Sequence, residues 1–127
     1  SAVMAELPGA DGRALRLTPY HPVLIDGAWR FPAELGPVAA RECEAVFSFA
    51  IAGGAVGILV EGVACATWGH GLAGGAVAHP YFGSRAAVDD LARMPGYAAG
   101  HVDLNPGQVV RDPSSGLVCG LRPPPLA

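Results

Sequence analysis

The chain has 127 residues, 51% of them apolar and 15% charged, with a formal net charge of −3. That length suits one domain with one core, and the composition excludes a disordered acidic or basic tail. The charge balance gives no ground for a nucleic-acid or anionic-membrane partner, and the eight basic residues are all arginine, which removes lysine from the candidate nucleophiles.

Eighteen glycines and twelve prolines favour many short strands and turns over long helices, so an all-β class is expected. No apolar run reaches the roughly 18 residues of a membrane helix. The nearest approach, "VFSFAIAGGAVGILVEGVACATW", contains Glu61 and paired glycines and reads as buried β structure. The front of the chain has no signal-peptide pattern. Cys43, Cys65 and Cys119 cannot all pair with one another and form no C-x-x-C unit. A reduced compartment follows, and with it an intracellular, cytoplasmic location.

In chain order, "SAVMAELPGADGRALRL" predicts a strand, a polar turn at Gly9–Gly12 and a second strand, with Asp-Gly as the hairpin signal. Residues 18–29 then hold His21 between Pro19 and Pro22, followed by a second Asp-Gly in "LIDGAW". Proline cannot donate to a ladder, so this pair predicts an extended edge or strand end with the ring held between them. "FPAEL" suits a single helical turn. The chain from 44 to 67 reads as strand, glycine turn and strand: "AVFSFAI", "AGGAVG", "ILVEGVACAT". In the first, Val46, Ser48 and Ala50 alternate with Phe47, Phe49 and Ile51. A helix is predicted from Ser84 as N-cap, with Val88, Leu91 and Met94 on one face and Pro95–Gly96 as the stop. "QVVRDPSSGLVCGL" predicts a hairpin, and "RPPPLA" an extended tail.

Four histidines and three cysteines form the reactive stock. On an extended element Thr18 and His21 stand about 10 Å apart, and a bend at either proline brings both to one peptide bond. A histidine there can give or take a proton while the threonine holds a carbonyl or backbone group. The alternative is that Thr18 closes a turn and His21 is a satisfied structural ring. Cys65, His70 and His79 follow a C-x4-H-x8-H spacing. A structural zinc site wants four ligands and pairs them on tight turns, so no metal is expected. "GHGLAGG" satisfies G-x-G-x-x-G through Gly69, Gly71 and Gly74, but the βαβ context is missing. A Cys–His hydrolase remains open, with Cys65 or Cys43 as nucleophile and His21, His70 or His79 as base. Against it, Cys65 in "VACATW" reads as strand core.

The order of these motifs resembles a known family. "LTPYHPV" resembles the T-x-x-H block of the Hint superfamily, which includes inteins and hedgehog autoprocessing domains. "VFSFAI" and "GGAVGILVEGVACATWGHG" resemble the later paired strands of that fold. "TWGHG", "HPYFG", "DLARMPGYAAGHVDL" and "VVRDPSSGLVCGL" are similar to the Vint variety, found with von Willebrand A domains.

The resemblance implies a horseshoe of short antiparallel strands in one domain over 1–127, with a Hint core portion over 1–71. A Vint-type extension over 72–127 would hold the helix at 84–94. It also implies autoproteolytic cleavage of a precursor. A cysteine attacks the peptide bond before it, an amide becomes a thioester, and His21 protonates the departing nitrogen while Thr18 helps hold the bond. No cysteine-led block begins this chain, which reads as the C-terminal part of such a domain, with the nucleophile on an N-terminal segment. The expected partners are that N-terminal Hint fragment or flanking precursor segments, with no nucleic acid, membrane or cofactor. Cys65, His70 and His79 would lie around the same mouth. A non-catalytic β module that binds its complementary fragment by strand addition is the competing reading.

Overall fold

The computed structural model describes residues 2–43, 45–51 and 55–124. Among the described residues, three antiparallel sheets and one short helix make up the regular structure, with short 3₁₀ turns between them. The all-β expectation holds.

The first predicted hairpin forms β1 (Ala2–Pro8) and β2 (Ala14–Leu17), paired antiparallel with Ala5 opposite Leu17. The free edge of β1 is covered by β5 (Val38–Arg41), giving the order β2-β1-β5. That strand has no counterpart in the sequence reading. Its "VAAR" has weak strand propensity, and pairing with β1 imposes the conformation. Glu6, in the middle of β1, joins the three strands by receiving Arg16 Nε at 3.2 Å and Arg41 Nη2 at 3.0 Å.

Asp26-Gly27 closes the hairpin of β3 (Val23–Ile25) and β4 (Ala28–Arg30), with both turn residues at positive φ (50° and 79°). That is the type I′ geometry whose twist matches the strands. "FPAEL" supplies the expected single turn, a 3₁₀ turn at Pro32–Glu34.

Two expectations are corrected between residues 45 and 67. "ILVEGVACAT" is not one strand but a hairpin, β6 (Gly57–Val60) and β7 (Val63–Ala66), turning at Glu61-Gly62. Both turn residues again have positive φ (50° and 76°), so this too is a type I′ turn. Glutamate in the left-handed region is a poor turn signal, which is why the pattern reads through it. The second correction concerns "AVFSFAI", whose residues 45–51 form no ladder among the described residues. The segment is held at Phe49, whose carbonyl accepts from Trp68 N at 2.8 Å. Alternation alone does not make a strand without a neighbour to bond. Val46, Phe47, Phe49 and Ile51 are left exposed. Residues 52–54 of the expected glycine turn and residues 125–127 of the tail lie outside the described residues.

β7 pairs with both β6 and β3, giving a four-stranded sheet β4-β3-β7-β6. Its inner face meets the first sheet in a core of Leu7, Leu15, Leu17, Val23, Val63 and Cys65. Its outer face carries the row Trp29–Leu24–Ala64–Leu59, set by the register across all four strands.

A second core gathers Tyr81, Ala87, Met94, Val118 and Leu121, with Trp68 and Phe82 packed against it. The helix α1 runs Arg85–Ala92 and starts as predicted, with Ser84 Oγ accepting from Ala86 N at 3.2 Å. It ends at the Arg93 cap, slightly before the expected Met94. The last hairpin is β8 (Val109–Arg111) with β9 (Val118–Leu121), turning through the predicted Asp-Pro-Ser-Ser-Gly. Asp112 holds that turn by accepting from Ser114 N at 2.8 Å and Ser114 Oγ at 2.7 Å.

Candidate functional site

Between β2 and β3 the chain reverses over Thr18–His21, and His21 N donates to Thr18 O at 3.2 Å. The expected extended element is therefore a β-turn with Pro19 at its second position, where the fixed φ of proline is favoured. Thr18 closes it through its carbonyl. Both prolines are tied to neighbouring elements. Pro19 O accepts from Ala33 N and Pro22 O accepts from Ala66 N, each at 2.9 Å. The prolines thus restrain the ring, but in a turn that is bonded on both flanks.

The His21 ring reaches the end of β7, where Nε2 lies 2.9 Å from Ala66 O. A carbonyl can only accept, so Nε2 carries the hydrogen and the neutral ring has its lone pair on Nδ1. Among the described residues Nδ1 has no hydrogen-bond partner. Burial lowers the His21 pKa from its ordinary value, and the bond to Ala66 opposes that only in part. At neutral pH the ring is uncharged, and the bond to Ala66 fixes its tautomer.

Cys65 is adjacent in sequence to Ala66, but its side chain turns into the first core, where it is 4% exposed. Its Sγ donates to Val63 O at 3.6 Å, and burial pushes the thiol pKa up to about 11. It is a packed thiol rather than a thiolate.

His70 and His79 stand beyond β7, on the loop that leads to α1. His70 Nδ1 accepts from Leu72 N at 2.9 Å. His79 Nδ1 accepts from Tyr81 N at 3.1 Å and from Phe82 N at 3.0 Å. Burial lowers both pKa values, and the neighbouring His70 ring lowers that of His79 further. The two rings are therefore close to each other and act as loop staples. With each Nδ1 lone pair engaged by backbone N–H, neither ring has that nitrogen free for a metal. No cluster of three or more metal-ligating side chains occurs among the described residues.

Sequence reasoning missed Ala66 and Thr67. Ala66 acts through a backbone oxygen, which leaves no trace in residue type. Thr67 is 2% exposed, and its Oγ1 donates to Ala55 O at 2.7 Å.

With the sheets and the His21 turn in place, comparison with protein families agrees with the motif order. The model of the Vint family, a Hint-domain, matches residues 2–120. The chain belongs to the Vint family of Hint domains. No curated protein matches it. Among the described residues no helix is long and apolar enough to cross a membrane.

Proposed function

We propose that this chain takes part in autoproteolytic processing of a precursor, with His21 as the proton carrier and the nucleophilic thiol supplied by an N-terminal segment. The bond from His21 Nε2 to Ala66 O carries this reading, because it leaves Nδ1 as the working nitrogen. The thiol sulfur attacks the carbonyl carbon of the peptide bond before it, and its proton passes to Nδ1. The C–N bond breaks as Nδ1–H delivers that proton to the departing nitrogen, leaving a thioester and an amine. Water then hydrolyses the thioester to a carboxylate and the free thiol. Burial of the ring serves the second transfer, since a histidine with a lowered pKa is the stronger acid once charged. Thr18 contributes the turn that aims the ring.

The test is expression of the chain with its natural upstream coding segment, following cleavage by gel and mass spectrometry. Loss of a positioned proton carrier in His21→Ala is expected to slow cleavage roughly 10²- to 10⁴-fold. Undiminished cleavage in that variant overturns the role of His21.

A second reading has its own observation. Val46, Phe47 and Leu59 are exposed apolar residues, at 48%, 66% and 71%, and β6 is a sheet edge. Such a surface suits a β module that adds a complementary strand. Association with the upstream fragment without any bond cleavage would select it. The hydrolase reading draws no support from Cys65, which is buried and held protonated.

A further inference from the structure

We infer that Thr67 is a positioning residue for His21, acting through the single peptide unit that joins Ala66 to Thr67. This rests on the proton-carrier reading of His21.

The carbonyl of that unit is Ala66 O, the acceptor of His21 Nε2 at 2.9 Å. Its N–H belongs to Thr67 and donates to Val56 O at 3.2 Å. The result is a chain of hydrogen bonds from Val56 O through the peptide to the imidazole. Donation by the N–H polarises the carbonyl at the other end of the same unit and strengthens it as an acceptor. A well-bound Nε2–H in turn fixes the tautomer and makes Nδ1 more basic, as outer partners do for metal-binding histidines.

The Thr67 hydroxyl fixes the orientation of this unit. Its donation to Ala55 O makes a second bond to the same segment just before β6, one residue away from the first. Two bonds to adjacent carbonyls prevent the peptide from rotating about its flanking dihedrals, where one alone would leave it a hinge. The residue is almost fully buried, so water does not compete for either bond. The preceding Ala66 N–H is also held, by Pro22 O at 2.9 Å, in the segment that carries His21 itself.

The measurement is the ¹⁵N chemical shifts of the His21 ring in the 127-residue chain, which report tautomer without requiring cleavage. Unaltered protein is expected to show Nε2–H and an unprotonated Nδ1, and the Nδ1–H tautomer would overturn the inference. Thr67→Val, which keeps the shape and removes the hydroxyl, is expected to mix the two tautomers. Thr67→Ser is expected to restore the unaltered spectrum. Equal ring spectra in Thr67→Val and unaltered protein refute the positioning role, and so does failure of Thr67→Ser to restore it. In the chain extended by its upstream segment, Thr67→Val is expected to lose roughly ten- to a hundredfold in cleavage rate, the scale for outer partners of functional histidines. Absence of cleavage in every version, unaltered included, would instead sink the proton-carrier reading and leave the ring result standing.

Discussion

Ala10 N donates to Glu61 O at 2.9 Å, and through this bond the turn of the first hairpin sits against the turn of the β6–β7 hairpin. Gly62 adjoins the same contact with φ of 76°, and a Cβ there would collide with the Ala10 Cβ. Gly62→Ala is expected to cost at least about 1–3 kcal/mol from the left-handed backbone alone. Adding Ala10→Gly removes the collision and is expected to recover part of the loss. Denaturant melts of the single and double variants check this, and an unchanged midpoint in Gly62→Ala would contradict the turn geometry.

Acid is expected to weaken the fold before the carboxylates titrate. His21, His70 and His79 all have pKa values lowered from 6.5 by burial. Below that value the unfolded chain binds protons that the folded rings resist, so stability falls as pH drops. Above it all three are neutral in both states and contribute no slope. Protonation also removes the Nδ1 lone pairs that hold the Leu72, Tyr81 and Phe82 amides. Urea midpoints between pH 7.5 and 5 are expected to decline, and His79→Asn, which offers a non-titrating acceptor, to flatten the decline. A flat profile in the unaltered chain would rule the mechanism out.

The three thiols are expected to react unequally. Cys43 and Cys119 are exposed, whereas Cys65 is buried with its ionisation pushed up to about 11. Native protein should take up maleimide quickly at the first two and only after denaturation at the third. Fast native labelling of Cys65 would place it outside the core and reopen a nucleophilic role.

Replacement of Leu15, which is 3% exposed in the first core, is expected to matter more than any surface change. Leu15→Ala should cost about 2–5 kcal/mol through lost burial and the cavity left behind. A loss well under 1 kcal/mol, read from denaturant midpoints, would mean the two sheets do not pack as described.

Much of the scaffold is legible in the sequence where turn chemistry is explicit. Asp-Gly at 26–27, the Ser84 cap and the Asp-Pro-Ser-Ser-Gly turn each name their own geometry. Glu61-Gly62 hides a hairpin because only its second residue is suited to the left-handed region. β5 hides because its alanines owe their strand to β1. Phe47 and Phe49 mislead for the opposite reason, since their alternation is a local property and a ladder is not. At the site, the confined imidazole of His21 could be read from its flanking prolines. Its acceptor could not, because every residue type carries the same carbonyl.

That carbonyl sets an unusual rule for dissecting the site. No side-chain exchange at position 66 deletes the oxygen that holds His21, so a scan of substitutions would pass over it in silence. Chemical synthesis offers the missing tool: an ester in place of the amide between Ala66 and Thr67 removes the N–H and weakens the oxygen as an acceptor at one stroke. The atom that governs the ring belongs to the thread of the polymer, and is edited only there.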